Sequence, residues 1–349
     1  MDDLGPITPY LTAQDVSEIM VNGPQKIFIE QGGKLIQLEK RYASEVDVLR
    51  VVRQLLAVSG KNLSPQLPLM DLRLADGSRM TISMPPVTAM TSFTIRKPSY
   101  RVLDLNELVM KGGMSQDMAE LMKIAVQMRL NILIAGGTST GKTTLLNALA
   151  AGIPKAQRIV TIEDTYEINL PHPNWVALET VYQGRGTDVI DMRQLVAHAL
   201  HLRPDRILLG ECRGGEALDI LQAMNSGHDG AIATIHASSP RDVISRLETL
   251  VLMAGYEIPL IAVRQQISRA IHLIVQMRRT PEGARQINAI TEVSGFQDGN
   301  VILNDVIILA RDRETGAVGY YPTGYTPAFL EQYNNAQGIQ HPPPAQAKA

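Results

Sequence analysis

The sequence predicts an α/β protein, in which a small α+β domain is followed by a larger domain built on a doubly wound, mostly parallel sheet. Before residue 97, short strand patterns with a period of two surround one helical pattern. After residue 113, apolar strand-like runs alternate with helical runs, and this order favours a parallel sheet with helices on both faces. The length of 349 residues fits two domains, since single cores rarely exceed roughly 250–300 residues.

One β-hairpin of the first domain is predicted to place two arginines side by side. The segment 71–84 alternates apolar and polar residues around Gly77, which we expect in the left-handed conformation. This register sets Arg73 directly opposite Arg79. Like charges placed so are destabilising unless an anion lies between them. The pair is therefore either two solvated side chains or part of an anion site.

The patterns divide the chain into four parts. Residues 1–96 form the N-terminal α+β domain, which closes with a strand that ends at Arg96. Residues 97–113 form a linker, and residues 114–335 form the second domain. Residues 336–349 are expected to be a disordered tail, because they are rich in proline and of low complexity.

One stretch of the second domain matches the P-loop that binds nucleoside triphosphates. An apolar strand at 132–135 leads into G-x-x-x-x-G-K-[ST] at 136–143, and a helix follows. The glycines let backbone N–H groups point inward, and the new helix offers its free N–H groups to an anion. Lys142 is expected to reach the β- and γ-phosphates, and Thr143 to bind Mg²⁺ through its hydroxyl. The predicted nucleotide-binding residues are Gly136, Gly137, Thr138, Ser139, Thr140, Gly141, Lys142, Thr143 and Thr144.

Three predicted strands each deliver a polar side chain to the sheet edge where ligands bind, namely Glu163, Glu211 and His236. Phosphoryl transfer needs Mg²⁺ and a carboxylate that orients or deprotonates water. We expect Glu211 to hold Mg²⁺, directly or through water, and Glu163 to polarise the attacking water, with exchanged roles as the alternative. His236 is expected to contact the γ-phosphate. Solvated carboxylates and a histidine that is only hydrogen-bonded are the simpler interpretations.

Composition excludes several classes of protein. The net charge of −2 and the 4% of aromatic residues give no sign of a nucleic-acid-binding surface. A single cysteine, Cys212, rules out an intramolecular disulfide and fits a reducing compartment. No run of about 18 apolar residues is long enough to span a bilayer. We therefore expect a cytoplasmic protein without a transmembrane segment.

Three segments closely resemble the secretion-ATPase superfamily: the P-loop, IEDTYEI at 162–168, and the segment 203–248, which begins RPDRILLGECRGG. Members power type II secretion, type IV pilus assembly and retraction, and conjugative type IV secretion. The resemblance covers residues 16–310 and is closest to the tight-adherence (Flp) pilus branch, often called CpaF or TadA. It implies a RecA-like ATPase domain and a hexameric ring that uses ATP and Mg²⁺ and drives inner-membrane platform proteins.

The resemblance also assigns roles to single residues. It places Glu163 in the Asp box, Glu211 in the Walker B motif and His236 in the His box. It implies that arginines of the N-terminal domain contact ATP; the matching positions are Arg73, Arg79 and Arg96. Arg203 and Arg213, which flank the Walker B strand, are secondary candidates for contacts between domains or subunits.

Two other functions share a P-loop core. A RecA-like nucleic-acid translocase is disfavoured because the chain is mildly acidic, with a pI of about 6.4, and lacks a basic stretch with interleaved aromatics. A small-molecule kinase would need a lid, and no arginine-rich insertion follows the Walker B strand. The four-cysteine cluster that holds zinc in many secretion-type relatives is missing, so no zinc is expected. The motifs leave open whether the motor extends or retracts a filament.

Overall fold

The computed structural model describes residues 3–57, 63–97, 102–181, 189–312 and 315–337. The chain divides into two compact units, Met1–Tyr100 and Arg101–Ala349. The last part of the predicted tail, residues 338–349, lies outside the described residues. Nowhere in the described ranges is there a helix with the length and apolar character needed to cross a bilayer.

The first unit is an antiparallel sheet with one long helix. Its helices are α1 (Thr8–Thr12) and α2 (Glu45–Ala57), and its strands are β1 (Val16–Asn22), β2 (Ile27–Gln31), β3 (Lys34–Gln37), β4 (Leu69–Arg73), β5 (Arg79–Ser83) and β6 (Ser92–Arg96). The strand order is β3-β2-β1-β6-β5-β4. One apolar core joins the buried face of α2 to inward-facing strand residues such as Ile19, Met80 and Ile95. The predicted α+β architecture is confirmed.

The second unit carries the larger sheet. Its helices are α3 (Leu105–Met110), α4 (Gln116–Gln127), α5 (Lys142–Ala150), α6 (Met192–His201), α7 (Glu216–Asn225), α8 (Pro240–Leu252), α9 (Leu260–Ala270) and α10 (Ala328–Ala336). Its strands are β7 (Ile132–Ala135), β8 (Ile159–Glu163), β9 (Trp175–Glu179), β10 (Arg206–Cys212), β11 (Ile232–Ile235), β12 (Leu273–Arg279), β13 (Arg285–Gln297), β14 (Asn300–Arg311) and β15 (Val318–Pro322).

The sheet of the second unit is mostly parallel, as predicted. Its order is β15-β14-β13-β12-β7-β11-β10-β8-β9. The strands from β12 to β9 in that order run parallel to one another, whereas β13, β14 and β15 continue the sheet by antiparallel pairing. Strand β7 therefore lies inside the parallel part, between β11 and β12. Because ligands of such sheets bind beyond the carboxyl ends of the strands, this position favours a site after Ala135.

Successive residues of the central strands point to opposite faces and build two cores. Leu133 and Ala135 face a core that includes α6, α7, α8 and α9. Ile132 and Ile134 face a second core that includes α3, α4, α5 and α10. Helices thus cover both faces, and the doubly wound fold class is confirmed. Both faces of strand β7 are apolar because both faces are buried.

The range predicted as a linker, 97–113, contains helix α3. Asp104 caps this helix through its side chain, and Glu107 returns a hydrogen bond to the Asp104 backbone. Leu105 is buried in the core of the second unit. The Gly113 carbonyl accepts a hydrogen bond from Ile287 N, at 2.8 Å. The described residues from 102 onward therefore pack with the second unit rather than forming an extended connection.

Candidate nucleotide site

The P-loop connects β7 to α5 in a conformation that needs glycine at defined points. A Cβ at Gly136 would lie 2.6 Å from Thr140 Oγ1 and 2.9 Å from the Met277 carbonyl oxygen, so only glycine fits there. Gly141 has φ +95° and Ser139 has φ +58°, both in the left-handed region. Turns of this kind direct successive N–H groups into a concave anion-binding surface. Residues 137–139 are exposed at the tip of the loop, Thr140 and Lys142 are buried, and Gly141, Thr143 and Thr144 are half-buried.

Lys142 folds back over this loop. Its Nζ donates hydrogen bonds to the carbonyl oxygens of Gly136, at 3.0 Å, and Gly137, at 2.9 Å. Burial lowers the pKa of Lys142, while the charges of Glu211 and Glu167 oppose that shift. These two carboxylates are thus within electrostatic reach of the ammonium group. The ammonium group therefore lies along the loop, and its contact with the phosphates of a nucleotide stays a prediction.

Thr143 contacts a residue that sequence reasoning missed. Its Oγ1 donates a hydrogen bond to Oε2 of Glu167, at 3.2 Å. Glu167 lies four residues beyond the end of β8, in the loop that leads towards β9. The signal for Glu167 was present in IEDTYEI, where a further carboxylate follows the strand-end glutamate in the connecting loop.

Glu163 is deeply buried at the end of β8, with 1% of its surface exposed. Its Oε1 accepts hydrogen bonds from the backbone N–H groups of Glu167, at 2.8 Å, and Ile168, at 2.9 Å. Its side chain packs against Gly210, where a Cβ would lie 2.9 Å from Glu163 Cγ. Burial raises the pKa of Glu163 to about 7, although the two N–H bonds oppose that shift.

Two of the predicted strand-end side chains meet directly. Nε2 of His236, just after β11, lies 2.6 Å from Oε1 of Glu211 in β10. Arg213 also contacts the Glu211 carboxylate, and its Nη1 lies 3.6 Å from Oδ2 of Asp164. Burial lowers the pKa of His236, while the Glu211 charge opposes that shift.

The Glu216 carboxylate accepts hydrogen bonds from two backbone N–H groups, including that of Arg213 at 2.6 Å, and so holds the turn after β10.

The N-terminal unit contains a row of charged residues across three strand pairings. Arg73 lies opposite Arg79, as predicted, Arg79 lies opposite Arg96, and Arg96 lies opposite Glu18. Arg79 Nη2 lies 3.5 Å from Oδ1 of Asp71. All three predicted arginines therefore share one row of one sheet. That they contact a nucleotide stays a prediction.

The two secondary arginines have different positions. Arg203 lies three residues before the amino end of β10, in the left-handed conformation with φ +53°. Arg213 directly follows the carboxyl end of that strand. Only Arg213 is close to the strand-end carboxylates. Cys212 is buried, and burial raises its pKa well above the ordinary value.

These residues fit a magnesium-bound nucleoside triphosphate. The loop has a close-packed turn at Gly136 in which a Cβ would not fit. Lys142 supplies a cation directly over this loop. The Thr143 hydroxyl and the Glu211 and Glu167 carboxylates are hard oxygen donors, which Mg²⁺ prefers. The site therefore combines phosphate binding with carboxylates that can hold or orient water.

Comparison with known proteins identifies relatives along most of the chain. The family described as type II/IV secretion system protein matches residues 1–304. The probable conjugal transfer protein TrbB of Sinorhizobium fredii is 36% identical over 293 residues, which cover 83% of this chain and 86% of that protein. The type IV secretion system protein PtlH of Bordetella pertussis is 37% identical over 308 residues, which cover 80% of this chain and 90% of that protein.

One solved structure with a similar fold is the pilus retraction motor PilT with bound ADP. It has a TM-score of 0.59 and 19% sequence identity, and the match covers 97% of this chain and 88% of that chain. At this identity the likeness concerns the fold alone.

Proposed function

This chain belongs to the family of type II/IV secretion system proteins, and we propose that it works as a hexameric motor of a pilus or secretion machine. It is a P-loop ATPase of that family. The proposal extends this activity to mechanical work in a ring that acts on inner-membrane platform proteins. The chain would stay in the cytoplasm and reach the membrane through those partners.

The observation that carries the proposal is the meeting of several elements at one sheet edge. The P-loop supplies the phosphate cradle, Lys142 lies over it, and Thr143 contacts Glu167. Glu211 and His236 meet at the ends of neighbouring strands β10 and β11. A phosphate-binding loop next to a carboxylate–histidine pair suits hydrolysis of a terminal phosphate and a response to its loss.

We propose the following roles. Lys142 binds the β- and γ-phosphates, and Thr143 and Glu211 hold the metal, directly or through water. When bound, Mg²⁺ neutralises the charge that develops on the phosphate oxygens. Glu167, beside Thr143, orients the attacking water. The sequence favoured Glu163 for that task. Because the Glu163 carboxyl group is buried and bonded to the backbone of its own loop, we assign the task to Glu167 instead.

We further propose that Arg73, Arg79 and Arg96 act together on the nucleotide. Their common row supports this, because the strand register sets three arginines side by side, and guanidinium groups are well suited to bind phosphate oxygens. Within the sheet, Asp71 pairs with Arg79, and Glu18 lies opposite Arg96. The proposed role is that of an arginine finger, supplied by the same subunit or by its neighbour.

The test is ATP hydrolysis per subunit as the protein concentration increases, with Mg²⁺ present and Lys142→Ala as the inactive control. Specific activity that rises and then saturates supports sites that neighbouring subunits complete. Light scattering on the same samples should give a hexamer in the saturated range. High specific activity that does not change with concentration, from a monomer, would contradict the ring motor and favour a self-sufficient kinase-like enzyme.

Within this function we propose the tight-adherence (Flp) pilus as the machine that the motor serves. The support is the close resemblance of the P-loop, IEDTYEI and the segment 203–248 to that branch. In its own host, a strain without this protein should lack such pili, and the wild-type chain but not Lys142→Ala should restore them. Intact pili together with lost transfer of DNA or protein would assign the motor to a secretion channel instead.

A further inference from the structure

Glu163 is placed to hold a loop rather than to meet a substrate. One oxygen, Oε1, accepts the N–H groups of two successive residues, Glu167 and Ile168. The other oxygen, Oε2, is buried and has no hydrogen-bond partner among the described residues. The side chain is 1% exposed and is enclosed by Gly210 of the neighbouring strand β10. A carboxyl group in this position has no surface at which water can be activated.

The loop that Glu163 holds carries Glu167 to the P-loop. Other bonds hold the same loop on its far side: Thr180 Oγ1 donates to the Asp164 carbonyl oxygen, at 3.1 Å, and Tyr166 N donates to Glu179 Oε1, at 3.3 Å. Among the bonds described, the backbone N–H of Glu167 itself donates to Glu163 Oε1. The Glu167 side chain then accepts from Thr143 Oγ1, at the start of α5. A chain of contacts thus runs from Glu163 through Glu167 to Thr143.

We propose that Glu163 is a positioning residue for ATP hydrolysis: its buried carboxyl group fixes the loop 163–168 so that the Glu167 carboxylate faces Thr143. This inference rests on the proposed function, because it assigns Glu163 to the same site. The proposal gives the two glutamates of this segment different roles. Glu167 acts at the phosphate site, and Glu163 acts through Glu167. What Glu163 must supply is a hydrogen-bond acceptor, not a base.

The test compares two replacements of similar size. Glu163→Gln keeps a carbonyl oxygen that can accept both N–H groups, whereas Glu163→Leu removes the acceptor. We expect Glu163→Gln to lower kcat by no more than about threefold, and Glu163→Leu to lower it by about 10²-fold with KM for ATP within about threefold of wild type. Rescue by the glutamine variant and a change confined to kcat distinguish positioning from general damage to the fold.

Glu292→Leu is the matched control. Glu292 is a buried glutamate on β13, a strand that does not neighbour the P-loop strand β7. It accepts a hydrogen bond from the backbone N–H of Ala328, at 3.1 Å. Its loss should lower stability and leave the kcat of the folded fraction within about threefold of wild type. A double variant gives a second readout: in the Glu167→Gln background, Glu163→Leu should add little further loss.

The outcomes separate the proposals. Glu163→Gln as inactive as Glu163→Leu would overturn the positioning role and make Glu163 the base. Normal turnover by Glu163→Leu would overturn it as well. Should the leucine variant fail to fold, the glutamine variant decides alone: turnover close to wild type supports positioning, and a loss beyond about tenfold overturns it. Absence of hydrolysis in the wild-type protein would instead mean that the proposed function is wrong.

Discussion

The hydroxyl of Thr143 donates a hydrogen bond to the carboxylate of Glu167, at 3.2 Å. It links the first turn of α5 to the loop after β8, two segments that are 24 residues apart along the chain. The threonine is the predicted metal ligand of the P-loop. The contact therefore places the Glu167 carboxylate beside the hydroxyl group that is predicted to bind Mg²⁺.

Glu167→Gln should lower kcat by about 10²–10⁴-fold, because the amide cannot take up or orient the proton of the attacking water. Nucleotide affinity should change little, since the P-loop and Lys142 are intact. Steady-state hydrolysis and binding of a fluorescent ATP analogue measure the two effects. Glu120→Gln, an exposed change on α4 next to Gln116, is the control and should behave as wild type. Normal turnover by Glu167→Gln would return the role to Glu163 or Glu211.

Lys142→Ala should abolish measurable ATP binding, because the cation above the loop is lost while the loop carbonyl groups remain. The ammonium bonds to Gly136 and Gly137 show that the side chain already lies along the loop. Calorimetric titration with ATP and Mg²⁺ is the measurement. Lys155→Ala removes a lysine whose Nζ bonds the Pro171 carbonyl away from the loop, and it should bind ATP normally. Unchanged affinity in Lys142→Ala would mean that the phosphates bind elsewhere.

Arg79→Ala should reduce kcat by about 10³-fold or more while ATP affinity falls less, as expected for a positive finger that acts on the transition state. Removal of Arg79 relieves the like-charge repulsion from Arg73 and Arg96 and also breaks its exposed ion pair with Asp71, and exposed pairs contribute little to stability. The N-terminal unit should therefore lose little stability, which circular dichroism on heating can verify. Arg50→Ala, an exposed change on α2, serves as the control. If kcat is unaffected by Arg79→Ala, the arginine-finger role proposed for Arg79 is wrong.

Stability should depend on pH through Glu163. Its pKa rises from 4.5 to about 7 on folding. Between these values the folded chain holds a proton that the unfolded chain releases, so increasing pH lowers the free energy of unfolding. The total loss is about 3 kcal/mol, and it is complete once the pH has passed through about 7. Glu163→Gln should lack this dependence.

Urea unfolding of the two proteins from about pH 5 to about pH 8 measures the difference. The single tryptophan, Trp175, reports on the right unit, because it lies on β9 and its Nε1 donates to Thr161 Oγ1 of β8. The stability of wild type relative to the variant should fall up to about pH 7 and then stay constant. A constant difference over the whole range would mean that Glu163 is ionised throughout.

Much of the fold could be predicted because its signals are local. The hairpin around Gly77 has the left-handed glycine and the arginine register that its alternating pattern indicated. The strand ends at Glu163 and His236 lie where the apolar runs stop. The linker was harder, because the capped helix α3 is short and its anchor, Leu105, is buried in a core that it shares with α4, α5 and α10.

The sequence by itself determined the phosphate-binding chemistry, since the P-loop places its glycines, lysine and threonine within one continuous turn. Tertiary structure alone decided which carboxylates lie beside that loop. Glu163 and Glu167 are alike in chemistry and four positions apart, yet one is buried against Gly210 and the other contacts Thr143. Tertiary structure also brought Arg96 beside Arg79. The burial of Glu163 and the register between strands that no tight turn joins depend on contacts across many residues, and no local pattern encodes them.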